Sequence, residues 1–263
     1  DRITGLQLFE CDRFSGFTSL ETDYSTSEVT LYTSPEVAVV MLIGLASSFV
    51  VSTSDNIYYF LFFSPDEILR LYSERNEKMI EKYFIVKDKA IEVLREIYSR
   101  TQFNEMAVVE LALNIKLQEE MNMQNLDKVS FILFKIARER NKYKIYEQMP
   151  LTLYRRIIFR DIVERYFKNP EKFIKELSRM FEAKKKRPYN KLWDALKSLS
   201  GQPEIEANNA LRAMMGLYRF VILGDAQGYY QFLRELHNCR KKAENDEEKR
   251  EAYRQIINRL RVS

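Results

Sequence analysis

Residues 35–50 read PEVAVVMLIGLASSFV, and residues 56–63 read NIYYFLFF. Between and around them the chain is crowded with charge. The apolar run Val37–Val51 is 15 residues long and contains Gly44, Ser47 and Ser48. A membrane-spanning helix needs about 20 apolar residues. The polar STSD at 52–55 would lie inside the bilayer if the two stretches were joined. The expected structure is therefore a helix buried on most of its faces, followed by a central strand at Ile57–Phe63, where β-branched and aromatic residues favour extension. No membrane partner is expected.

The rest of the composition fits that reading. The chain has 263 residues, 46% hydrophobic and 30% charged, which is globular and not disordered. Only 7 Gly and 6 Pro favour long helices over a loop-rich all-β fold. Many Lys, Glu and Tyr with one His are compatible with a thermophile. Asp1 opens the chain with no signal-peptide pattern, so a trimmed terminus is expected, while the sparse cysteines make a reducing cytoplasm the expected setting. Two cysteines, Cys11 and Cys239, support neither a disulfide framework nor a zinc site.

Working outward, Ile3–Phe9 and Glu28–Tyr32 have weak strand character. Ser34-Pro35-Glu36 and Ser64-Pro65-Asp66-Glu67 are helix starts: an N-cap serine, proline in the first turn, then acid. Amphipathic helices are expected after residue 65, through Ala90–Tyr98, and from Asn104 to about Met123. VSFILFKIARERNKYKIYEQM then changes period. Val129–Ala137 and Tyr143–Gln148 read as a β-hairpin, with Asn141 at a positive-φ turn position and a helix as the competitor for the first half. From Met149-Pro150 helices are expected at about 151–168, 171–186, 189–200, 204–223, 226–243 and 246–261. The fold class is α+β and predominantly helical. A small β-containing part with a basic hairpin (1–148) precedes a helical bundle (149–263).

Charge is unevenly spread. Residues 1–128 carry a net −9, residues 129–200 a net +11 and residues 201–263 a net +2. The basic part holds Lys135, Arg138, Arg140, Lys142 and Lys144 on the hairpin. Arg155, Arg156 and Arg160 follow along one expected helix sector, then Lys184, Lys185, Lys186 and Arg187. Lysine and arginine that neutralise phosphates release counterions, which gives sequence-independent affinity for nucleic acid. Interleaved aromatics such as Tyr143 and Phe159 could stack on bases. A solvated basic face, or four cations complementing a helix C-terminus, is the plainer account of the same residues.

No catalytic or cofactor pattern emerges. There is no P-loop, dinucleotide fingerprint, HExxH or EF-hand loop. His237 and Cys239 do not make a nucleophile and base by spacing alone. The acidic pairs Glu119-Glu120 and Glu247-Glu248 read as solvated, and Met214, Met215 and Gly216 as tight helix packing. No cofactor, metal or catalytic residue is expected.

The order of these parts, and TSPEVAVVMLIGLASSFVVSTSDNIYYFLFFSPDEI in particular, resembles the large-subunit family of archaeal type I-A CRISPR effector complexes. The resemblance implies a non-enzymatic subunit. It would bind target DNA beside guide RNA, help recognise the flanking motif, stabilise the displaced strand, and present the complex to a helicase and nuclease. Some such subunits carry a cysteine-rich zinc element, which this chain lacks. A protein-interaction scaffold without autonomous nucleic-acid binding is the rival reading, and a metal-dependent nuclease with scattered acidic residues is a third.

Overall fold

The computed structural model describes residues 4–5, 32–53, 56–100, 106–139, 142–155, 159–181, 188–197, 205–243 and 246–261. It is mostly helical, with a small antiparallel sheet toward the N-terminal side. The chain forms two compact units. The first comprises residues 1–79 and 130–151, and the second residues 80–129 and 152–263.

The first unit opens with a short pair, β1 (Thr4–Gly5) with β2 (Tyr32–Thr33). Most of Ile3–Phe9 and Glu28–Tyr32 lies outside the described residues. Helix α1 (Pro35–Ala46) starts where the Ser-Pro-Glu signal places it, and the Ser34 hydroxyl accepts from the Val37 amide at 3.4 Å. The expected helix to Val51 is too long. At Ser47 the chain turns, and β3 (Phe49–Ser52) pairs with β4 (Ile57–Phe63). Burial also differs from the expected helix covered on most faces: only Ala38 of α1 is buried, while Val40 and Ile43 are 68% and 61% exposed. An all-apolar helix has no polar face to show which side needs cover. Among the described residues, no helix is long and apolar enough to cross a membrane.

The central strand is as expected. β4 pairs with β5 (Lys128–Glu139), and β5 with β6 (Lys142–Tyr154), in the order β3-β4-β5-β6. One face of β4 and β5 is buried: Tyr59, Leu61 and Phe63 beside Phe131 and Leu133, with Leu61 opposite Leu133 and Phe63 opposite Phe131. Alternation sends Tyr58, Phe60 and Phe62 to the other face, with Phe134 and Ile136. α2 (Pro65–Glu74) is capped by Ser64, which accepts from the Glu67 amide at 3.3 Å.

The second unit contains α3 (Glu77–Arg100, from Ile80 onward), α4 (Met106–Lys116), α5 (Gln118–Gln124) and six later helices. These are α6 (Phe159–Tyr166), α7 (Pro170–Met180), α8 (Tyr189–Lys197), α9 (Ile205–Val221), α10 (Ala226–Lys242) and α11 (Glu247–Leu260). The expected helix at 151–168 is corrected, because β6 runs on to Tyr154 and α6 begins only at Phe159. The sequence places Pro150 at the start of a helix. It lies in β6, an outer strand of the sheet, where a missing N–H is tolerated.

α9 and α10 meet backbone to backbone. A Cβ built on Gly216 would lie 2.8 Å from the Gly228 carbonyl oxygen, and one on Gly228 would lie 2.5 Å from that of Gly216. Ala207, Ala210 and Ala213 lead along α9 to Gly216, all fully buried. Buried polar groups lock further elements together. Glu206 on α9 accepts from Tyr253 Oη at 2.7 Å and Lys249 Nζ at 3.0 Å on α11. Glu176 on α7 accepts from Tyr189 Oη on α8 at 2.7 Å. The Asn114 side chain in α4 bonds both the carbonyl oxygen of Thr152 and the amide of Tyr154, tying that helix to the end of β6.

Candidate nucleic-acid interface

The basic segment Lys135–Lys144 is carried by the end of β5 and the start of β6, as a hairpin. β5 stays paired with the first-unit sheet to its end: Ala137 lies opposite Ile57, and the Arg138 amide donates to the Asn56 carbonyl at 3.2 Å. Asn56 holds a left-handed φ of 55° there. Arg140 and the turn residue Asn141 lie outside the described residues; Lys142 and Lys144 are strand residues of β6.

The hairpin cations are not equivalent. Lys135 shares the buried-face parity of Tyr59, is half-buried, and its Nζ lies 3.8 Å from Glu147 Oε2. Arg138 is exposed and has the opposite parity, that of Phe134 and Ile136. That face is aromatic. Phe49 packs edge-on against Phe60 at 5.7 Å, Phe60 stacks with Phe62 at 6.4 Å, and Phe62 meets Phe134 at 5.7 Å. Tyr58 contacts Tyr143 of β6 at 6.1 Å. These rings are half-buried at most, and Phe49 is 37% exposed. Reading charge alone missed this face. The signal was present in IYYFLFF, which is aromatic at both parities instead of alternating with polar residues.

The remaining candidates separate from the hairpin. Arg155 is not on a helix; it follows β6 and pairs with Asp127 and Asn125. Arg160 lies in the first turn of α6, half-buried, and its Nε finds no hydrogen-bond partner among the described residues. The single helix sector expected for Arg155, Arg156 and Arg160 therefore does not form. Arg156 and the run Lys184, Lys185, Lys186 and Arg187 lie outside the described residues.

Groups that could do chemistry are few. Among the described residues, no cluster of three His, Cys, Asp or Glu side chains is placed to hold a metal ion. Burial, with Glu206 and Glu235 nearby, pushes the Cys239 thiol up to about 12, so it stays protonated and inert near neutrality. Burial raises the Glu110 carboxyl, which accepts from Tyr218 Oη at 3.0 Å. Tyr218 is in turn pushed up to about 12 by burial and by Glu110. This pair joins α4 to α9 and lines neither the pocket at Tyr166 nor the cleft at Lys168.

Fold and surface together define a predominantly helical α+β protein with a basic hairpin on an aromatic sheet. No family model matches the chain, and no solved structure matches it. It is 44% identical over 258 residues to an uncharacterized protein of the archaeon Archaeoglobus fulgidus. That similarity covers 97% of this chain and 64% of the relative, so the chain spans just under two thirds of the relative's length.

Proposed function

We propose that this chain is a non-catalytic, nucleic-acid-binding subunit of a CRISPR interference complex. Its hairpin would contact phosphates of target DNA beside the guide RNA, with a helicase and a nuclease supplied by other subunits. The observation that carries the nucleic-acid part is the exposed Arg138 on the parity of an aromatic face, within a segment that also holds Lys135, Arg140, Lys142 and Lys144. Cations beside half-exposed rings suit a backbone that offers phosphates and bases together. The complex rests on the sequence resemblance.

A salt series of binding to single-stranded and duplex DNA tests this, comparing the parent with a variant in which Arg138, Arg140, Lys142 and Lys144 become Ala. Each lost phosphate contact lowers the slope of log K against log salt by about 0.7–0.9. The quadruple variant should therefore flatten it by up to about 3.6 on duplex DNA. Absence of binding by the folded parent at low salt would remove autonomous nucleic-acid binding. The scaffold reading would then stand, and the uncovered apolar surface of α1 is what favours it.

A further inference from the structure

In the second unit, α6, α9, α10 and α11 frame an open pocket of about 900 Å³. Its walls are largely carbon: Ile162, Phe167, Phe220, Tyr229, Leu233 and Ile257. Phe167, Phe220 and Tyr229 form one ring cluster with centroids 5.4–6.2 Å apart, and the Tyr229 hydroxyl is committed to the Leu260 carbonyl at 2.6 Å. Two further tyrosines line the pocket differently. Tyr166 and Tyr230 are 68% and 65% exposed, and although the Tyr230 ring meets that of Tyr229 at 5.9 Å, much of each ring is open to a ligand. The volume is that of a small-molecule site, about 300–1,000 Å³.

A smaller cleft of about 80 Å³ adjoins it and shares Phe167 and Arg261. Lys168, Lys172, Arg259 and Arg261 line this cleft, and all four are exposed. Among the described residues lining either space there is no carboxylate. Arg259 is partly engaged, with Nη1 3.8 Å from Glu176 Oε2.

We propose that the two spaces form a nucleotide site, in which Tyr166 and Tyr230 stack a base in the larger pocket and Lys168, Lys172, Arg259 and Arg261 hold its phosphate in the smaller cleft. Flat exposed rings next to a cation cluster demand a ligand with a planar apolar part and an anionic part a few ångströms away. An acyl chain would use the carbon walls but leave the open tyrosine faces unused. His237 on the pocket wall reports the same field. Burial, then Arg240, Arg261 and Lys241, push its imidazole below the usual value. A phosphate beside Arg261 would offset those cations and raise it. The site lies within the second unit and the basic hairpin residues 135–144 belong to the first, and the proposal stands whether or not the hairpin binds nucleic acid.

The base and phosphate could belong to a free nucleotide or to the end of a strand. His237 is the sole histidine of the chain, so its NMR signal can be titrated without assignment ambiguity. We would follow it with AMP, UMP, a 5′-phosphorylated tetranucleotide, its 5′-hydroxyl counterpart, inorganic phosphate and octyl phosphate. The expected result is a higher His237 pKa with a nucleotide, and at least tenfold weaker binding in both Tyr230→Ala and Lys168→Ala/Lys172→Ala. Those side chains are exposed, and unchanged melting would show that the variants fold. Mononucleotides binding as tightly as the tetranucleotide would indicate a free nucleotide, whereas binding only by the 5′-phosphorylated strand would indicate a strand end. The hairpin variant should bind in this assay like the parent. The proposal is overturned if no nucleotide moves His237 at millimolar concentration, if octyl phosphate binds and nucleotides do not, if Tyr230→Ala leaves affinity unchanged, or if the hairpin variant loses the effect.

Discussion

Helices α1 and α9 both contain a glycine in a position that a helix tolerates poorly, and they meet opposite fates. α1 is apolar all round, whereas α9 sets Asn208, Arg212 and Arg219 on its exposed side. In α9, Gly216 lets the backbone of α10 approach until a single added carbon would collide with it. In α1, a Cβ on Gly44 would meet nothing within 4 Å. α9 buries ten of its residues and α1 buries one. Apolar composition therefore states that a helix would gain from cover, and only a partner surface decides whether it has it.

Glycine substitutions should break this symmetry most visibly. Gly216→Ala and Gly228→Ala each place a carbon within 2.8 Å of facing backbone, which cannot rotate away as a side chain could. We expect losses of about 3 kcal/mol or more, at or above the upper end of ordinary overpacking, read as a fall in the denaturant midpoint. Gly44→Ala should instead gain about 0.5–1 kcal/mol from helix propensity. A loss at Gly44 would mean that α1 is closely packed after all.

Side-chain truncation sharpens the same contrast. Leu217 on α9 is fully buried, and Leu217→Ala should cost about 2–5 kcal/mol. Ile43→Gln on α1 should stay within about 0.5 kcal/mol, as surface changes do.

The bundle should also be the unit that fails in alkali. Burial raises the Cys239 thiol and the Tyr218 hydroxyl to about 12, and raises the Tyr189 and Tyr253 hydroxyls as well. The folded state thus keeps protons that the unfolded chain releases above about pH 9–10. Stability contributed by these groups is complete below the unfolded values and is lost as pH rises toward the folded ones. A melting series from pH 8 to 11 should show a falling midpoint, and Cys239→Ala should delay the onset of the fall. An unchanged onset in that variant would show that the thiol is not part of it.

How far the sequence carried the reading follows from which signals are local. The serine caps at Ser34 and Ser64, the aromatic strand at 57–63 and five of the six C-terminal helices were foreseen because caps, prolines and periodicity act within a few residues. The end of β6 was misread for want of context. Met149, Leu151 and Leu153 alternate as a strand should, and all three are buried, but Pro150 suggested a helix start until the sheet order made β6 an outer strand. Basic residues were found by charge, while pairing was not. Nothing local announces that Arg155 meets Asp127, or that Arg138 shares its parity with a group of rings whose members and contacts span four strands. The pocket beside Tyr166 and Tyr230 was missed for the same reason, since its residues come from four helices spread over a hundred positions.

Helix caps give the smallest and most discriminating comparison. The Ser34 hydroxyl caps α1, and Asp246 caps α11 by accepting from the Lys249 amide at 3.0 Å. Replacing either by Ala should cost about 1 kcal/mol of helix stability. The readout should differ. α11 presents Ala252, Tyr253, Ile256, Ile257 and Leu260 to the bundle core, so loosening its first turn is coupled to the whole unit, and Asp246→Ala should lower the melting temperature. α1 buries only Ala38, so Ser34→Ala should leave melting almost unchanged and speed amide exchange over residues 37–43 alone. If Ser34→Ala lowered the melting temperature as much as Asp246→Ala, α1 would have to be fastened to the fold by contacts that its exposed surface does not reveal. The contrast with α9 would then lie in how much surface each buries, with both helices belonging equally to the cooperative core.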